Sequence, residues 1–154
     1  MNEVNPRFMK LAIEEALAAG KRDEVPIGAC LVDSDDNVIA TAGNRTIGDN
    51  DPTAHAEILA LREAAKKVGN YRLTGCTLYT TIEPCVMCAG ALVNARIGRL
   101  VYGAADERFG AARTKFGLCD DSSLNHQMKI TSGVLAGRCK AIMQDFFRKK
   151  RKSL

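Results

Sequence analysis

The chain has 154 residues, 46% of them hydrophobic and 26% charged, with a net charge of +4 and six cysteines. That is the make-up of one soluble domain over 1–154, long enough to bury about 68–70% of its unfolded surface without disulfides. It excludes a spanning helix, since no stretch nears the ~18 apolar residues one requires. It also excludes a secretory signal, since MNEVNPRFMK has no apolar run. A reducing cytoplasm is the expected home, and there close cysteines serve metals or catalysis.

Asn5, Pro6 and Gly20 bracket a first helix near 6–19, with Met9, Ile13, Ala16 and Leu17 at helical spacing. Ile27 to Val32 reads as a strand, Ser34-Asp35-Asp36-Asn37 as a turn and Val38 to Ala42 as the returning strand of a hairpin. Thr53 is the expected cap of a second helix that reaches Val68 and stops at Gly69-Asn70. Thr77 to Ile82, rich in β-branched residues, is a third strand. Pro84 opens a third helix through about Ala95, and Arg99 to Tyr102 is a fourth strand. Residues 103–126 are irregular, and so long a connection is often functional. Met128 to Thr131 is a short fifth strand. Leu135, Cys139, Ile142 and Phe146 share one face of a last helix, which places Phe146 in the core. The order α-β-β-α-β-α-β-β-α implies a sheet with helices on both faces.

The chemistry is concentrated in His55-Ala56-Glu57 and Pro84-Cys85-Val86-Met87-Cys88. A catalytic zinc keeps three protein ligands and an open fourth position, and His55, Cys85 and Cys88 supply such a set. Two cysteines three apart at a helix start share a face, and the positive end of the helix favours their thiolates. His55 and Glu57 are two apart, so they reach one site only if the metal lies off the helix end. Glu57 is then the proton carrier for an activated water. A lone Cys-x-x-Cys also fits a zinc ribbon or two buried thiols. A ribbon shows a second pair, however, and Cys30, Cys76, Cys119 and Cys139 stand alone and read as core residues. The combined His-x-Glu and Pro-Cys-x-x-Cys is a known signature of zinc deaminases.

The chain resembles the bacterial tRNA-specific adenosine deaminases over nearly its whole length. The resemblance rests on Val25-Pro26-Ile27-Gly28-Ala29, Asn44-Arg45, Asp51 to Glu57, Asn70-Tyr71-Arg72-Leu73, Glu83 to Ala91, Asn125-His126 and Asp145-Phe146-Phe147-Arg148. It implies a three-layer α/β/α, cytidine-deaminase-like fold with a five-stranded mixed sheet, one Zn²⁺ per chain and a homodimer. It also implies hydrolytic conversion of wobble adenosine to inosine in a tRNA anticodon stem-loop. By the same resemblance Asn44 contacts the target nucleoside, Asp106 and Arg108 touch the tRNA loop, and Asn125 and His126 line the RNA side. Arg113-Thr114-Lys115 departs from the family's small Gly-Ser step and adds positive charge.

The basic helix end at 146–154, carrying Arg148, Lys149, Lys150, Arg151 and Lys152, reads either as a solvated tail or as a phosphate-binding segment. Beside it Phe147 is a candidate surface for stacking an unpaired base. Two other functions stay open at this level. One is deamination of free guanine or cytosine, with no use for the basic end. The other is a non-catalytic, zinc-stabilised RNA-binding module, which requires a closed site of four protein ligands.

Overall fold

A computed structural model describes residues 2–153. Their elements run α1 (Pro6–Lys21), β1 (Gly28–Val32), β2 (Val38–Gly43), α2 (Ala56–Val68), β3 (Thr77–Ile82), α3 (Val86–Asn94), β4 (Arg99–Ala104), β5 (Lys129–Thr131) and α4 (Ala136–Lys152). The strands form one mixed sheet in the order β2-β1-β3-β4-β5. β1 is antiparallel to β2 and β3, whereas β3–β4 and β4–β5 are parallel.

Strand alternation divides the core into two layers. Ala29, Leu31, Leu78 and Leu100 pack with Ala60 and Ala64 of α2 and Leu92 of α3. Cys30, Val32, Tyr79 and Val101 pack with Phe8, Met9 and Ile13 of α1 and Cys139 of α4. The result is the expected α/β/α sandwich. Cys30, Cys76, Cys119 and Cys139 are buried. Burial pushes the Cys30 and Cys119 thiols up to about 12 and Cys139 to about 11, so they are inert packing groups.

Several boundaries differ from the sequence reading, each for a local reason. α1 passes through Gly20 to Lys21, and the left-handed residue of the turn is Asp23 (φ 67°). Thr53 does not cap α2, because its N–H and hydroxyl both donate to Asp51 Oδ1 at 2.8 Å. The N-cap is His55, in extended backbone. Pro84 likewise precedes α3 without entering it, and Cys85 is the N-cap. β4 continues to Ala104 because it stays paired with β3 as far as Ile82. Phe146 is only partly buried: Cys139 is the fully buried residue of α4, and Ile142 and Met143 are the last of its residues packed against the core. The Phe146 ring packs edge-on to Phe147 and lies 5.6 Å from the Lys150 ammonium.

The close seating of α1 on the sheet depends on Gly28. A Cβ there would lie 1.9 Å from the Ala12 carbonyl oxygen and 2.6 Å from the Ala16 nitrogen, both backbone atoms. Gly28→Ala should therefore destabilise the fold by roughly 1–3 kcal/mol or more, read as a lowered urea midpoint with an unchanged slope.

Candidate metal and active site

Two chain segments deliver the donors. His55 has φ −76° and ψ 151° and Cys85 has φ −75° and ψ 179°, so both stand just outside the helices they cap. Glu57 lies inside the first turn of α2, so its two-residue separation from His55 is not a helical one and both side chains reach the same cavity. Asn44, at the end of the hairpin, accepts the Ala56 N–H on its Oδ1 at 2.8 Å. That bond satisfies one of the orphan donors of α2 and fixes the approach of His55.

His55 Nδ1 lies 3.6 Å from Cys85 Sγ and 3.5 Å from Cys88 Sγ. The three donor atoms lie within 4.8 Å of one another. Thiolate and imidazole bonds of about 2.3 and 2.0–2.1 Å to a tetrahedral ion give S···N edges of roughly 3.6 Å. The donor set therefore fits one tetrahedral metal ion. Among the described residues the cluster has no fourth His, Cys, Asp or Glu donor. Cys85 differs from the buried packing cysteines: its contact with Cys88, and then His55, hold its thiol down at about 4 against the effect of burial.

The cluster opens into a cavity of about 920 Å³ lined by His55, Glu57, Glu83 and Cys85 together with two further walls. The segment 105–109, including Asp106, Arg108 and Phe109, makes one wall, and α4 makes the other with Lys140, Met143, Gln144 and Phe147. Glu57 is 4% exposed, and burial raises its carboxyl to about 7. A carboxyl poised near neutrality and aimed at a metal site is suited to moving protons in both directions.

The structure thus gathers His55, Glu57, Cys85, Cys88, Asp106, Arg108 and Phe147 around one site. Asn44 is buried beneath it. Asp106 Oδ1 accepts the Arg108 and Phe109 N–H groups at 2.9 and 3.0 Å, so its carboxylate shapes the turn. Asn125 and His126 lie elsewhere. Asn125 accepts from Arg96 at 3.2 Å and borders a separate groove, and the His126 ring meets the Ile97 carbonyl at 2.7 Å. Arg148 pairs with Asp145, and Arg151 lies one turn beyond Phe147 on α4. Sequence reading names Phe147 but misses Glu83 and the Lys140, Met143 and Gln144 that share the cavity-facing side of α4 with it. These four α4 residues recur at i, i+3, i+4 and i+7, the spacing of one helix face, but the apolar stripe beside them is the stronger pattern.

Fold and donor set together define the class, a metal-dependent deaminase: the sequence profile of the MafB19-like deaminase family matches residues 3–151. The tRNA-specific adenosine deaminase of Haemophilus influenzae is 48% identical over 150 residues, covering 97% of this chain and 87% of that one. A structure from work on A-to-I editing by tRNA:A34 deaminases at the wobble position of transfer RNA superposes with TM-score 0.86. It is 47% identical and covers 90% of this chain and 99% of the other. A guanine deaminase from Nitrosomonas europaea superposes with TM-score 0.80 at 26% identity, covering 95% and 86%. The chain belongs to the tRNA-specific adenosine deaminase family.

Because Cys88 is buried at the base of the donor set, Cys88→Ala should release the metal, read by atomic absorption on the purified variant, while Glu57→Ala should retain it.

Proposed function

We propose that this chain hydrolyses wobble adenosine to inosine in a tRNA anticodon loop, using one zinc ion held by His55, Cys85 and Cys88. The observation that carries this reading is the three-donor cluster with the buried Glu57 beside it at the floor of an open cavity. The 48% identity over 97% of this chain favours a tRNA substrate over free guanine, since the guanine deaminases reach 26% over 95% and 40% over only 67% of it. A set of three donors argues against a purely structural zinc, which takes four protein ligands.

A zinc ion held by His55, Cys85 and Cys88 would lower the pKa of a bound water toward ~7. Glu57 takes a proton from the attacking water and delivers it to the ring nitrogen. It then takes the proton of the newly added hydroxyl and passes it to the departing amine, so that the carbonyl forms as the C–N bond breaks and ammonia leaves. Burial keeps bulk water from competing for that proton. Asn44 holds the Ala56 N–H and with it the His55 cap, and its buried amide is the candidate contact to the nucleoside.

The target base must be out of its stack to reach such a floor, and an anticodon loop already presents unpaired bases. Phe147, 41% exposed on the cavity wall, offers an aromatic face for a splayed base. The basic end of α4 continues from it. Arg148 pairs with Asp145 and Lys150 with Asp23, which leaves Lys149, Arg151 and Lys152 as the candidate phosphate contacts. No helix among the described residues is long and apolar enough to cross a membrane, and a tRNA substrate favours the cytoplasm. A homodimer is supported by an apolar groove of about 630 Å³ beside α3, lined by Val86, Met87, Leu118 and Leu124, with Val86 52% exposed.

Purified protein incubated with an anticodon stem-loop should form inosine and leave free guanine and cytosine unchanged; turnover of either free base with none of the stem-loop would reject the reading. Glu57→Ala should keep metal and fold but lose about 10²-fold or more of the rate. Deleting Arg148 to Leu154 should weaken stem-loop binding and flatten its dependence on salt, because fewer counterions are released. Core stability should survive, since the exposed Lys150–Asp23 pair contributes only about 0–1 kcal/mol. Equal binding by the truncated and full chains across a salt series would make the tail merely solubilising.

A further inference from the structure

Glu83 is nearly as buried as Glu57, at 3% exposure, yet the deamination chemistry leaves it without a role. It follows β3 and directly precedes Pro84-Cys85, so it is joined to a metal ligand by two peptide bonds. Its carboxylate is saturated from across the chain. Oε1 accepts the Asp106 N–H at 3.1 Å and the Thr114 hydroxyl. Oε2 accepts the Arg113 and Thr114 N–H groups at 2.9 and 3.0 Å. Two backbone bonds extend the join: the Glu83 N–H donates to Ala104 at 2.9 Å, and the Ala111 N–H donates to Pro84 at 2.8 Å. Gly110 curves over the same carboxylate, and a Cβ there would lie 2.4 Å from Glu83 Oε1. Arg113-Thr114, which departs from the family pattern, is thus part of the anchor, with the Thr114 hydroxyl supplying one of its donors.

We propose that Glu83 is a positioning residue that shapes the 105–114 loop around its carboxylate and so sets substrate affinity apart from the chemical step. Only an acceptor-only carboxylate satisfies four donors at once; an amide in its place turns its own N–H groups toward at least one of them. The loop carries Asp106, Arg108 and Phe109 into the cavity wall. Releasing it from Pro84-Cys85 loosens the surface that receives the nucleotides flanking the target, while His55, Cys85, Cys88 and Glu57 keep their positions.

This inference rests on the stem-loop being the substrate, and its test separates the two. The zinc-loaded wild type, Glu83→Gln and Gly110→Ala are compared on an anticodon stem-loop carrying wobble adenosine, with bound metal and amide hydrogen exchange measured in parallel. Glu83→Gln should raise KM at least about tenfold, the scale of losing charge-assisted hydrogen bonds, with kcat changed less than about threefold and full metal content. The amides of Asp106, Arg113 and Thr114 should exchange faster. Gly110→Ala, which forces the loop off an intact carboxylate, should give the same split, and the double variant should be no worse than either alone. A KM within about twofold of wild type in both variants, or a fall in kcat at constant KM, overturns the proposal. If Glu83→Gln fails to fold, Gly110→Ala decides by the same readouts. A wild type inactive on the stem-loop overturns the substrate reading instead, and unchanged exchange at residues 106–114 would still overturn the anchor.

Discussion

Two helix N-termini are brought together at one point, and that arrangement sets the demands on the surrounding structure. The starts of α2 and α3 each carry partial positive charge and unsatisfied N–H groups, so their approach is unfavourable unless anionic groups sit between them. The Cys85 thiol, held down at about 4 by its contacts with Cys88 and His55, supplies an anion there. The contact with Cys85 and burial push the Cys88 thiol up, so that a bound cation would be needed to make it a thiolate as well. The same groups suit a cationic metal, so the solution to a folding problem is also a ligand set. His55 and Cys85 serve because they are caps. In extended backbone their side chains can project past the helix end, and the second donor from α3, Cys88, comes from its first turn. The parallel pairing of β3 and β4 delivers the rest. Both strands end at the cavity, where Ile82 and Ala104 line its wall.

Three buried or half-buried carboxylates show how the neighbouring loops are held. Glu24, 2% exposed, accepts the Ile47 and Gly48 N–H groups at 3.0 and 2.8 Å. Asp51 holds Thr53, and Glu83 holds 106–114. Burial alone would push such groups up. For Glu24 the donors from Gly48, Ile47 and Thr46 outweigh it, and for Glu83 those from Thr114, Arg113 and Asp106 do, so both end below the ordinary carboxylate value. Glu57 is equally buried and lacks a comparable set of loop donors, so it rises to about 7. Donor supply separates an anchoring glutamate from one suited to proton transfer, although residue type and exposure are the same.

Sequence reading reached the sheet, the helix order and the donor triad because each rests on local pattern. Alternation marks the strands, and a histidine with two cysteines marks a metal by chemistry alone. It faltered where a side chain's partner is remote. Thr53 has the right identity for a cap, but Asp51 takes its hydroxyl, and Asn44, twelve residues before Ala56, satisfies the helix instead. Phe146 fits an apolar stripe that packs against the core only as far as Met143. Glu83 was in plain view beside Pro84-Cys85, but its partners lie 23 to 31 residues downstream, and no periodicity announces them.

The walls of the cavity explain how a site with a common floor can be directed to a polymeric substrate. His55 and Cys85 are half-buried and Cys88 and Glu57 buried, and none of the four distinguishes by its chemistry one amino-substituted ring from another, so the floor carries little selectivity. Lys140, Gln144 and Phe147 stand on one exposed face of α4, and Arg108 and Phe109 are exposed on the opposing loop, the Arg108 guanidinium 5.7 Å from the Phe109 ring. Cations beside aromatic faces suit a charged backbone with unstacked bases and add little for a lone uncharged base. α4 is seated on the sheet through Cys139, with Ile142 and Met143 beside it, and the loop is held through Glu83, two residues before Cys85. The exposed faces of both walls can therefore change in sequence without disturbing the donor triad. That separation gives a physical basis for altering substrate preference at the walls while the donor triad stays in place, in a fold that a tRNA:A34 deaminase and a guanine deaminase also adopt.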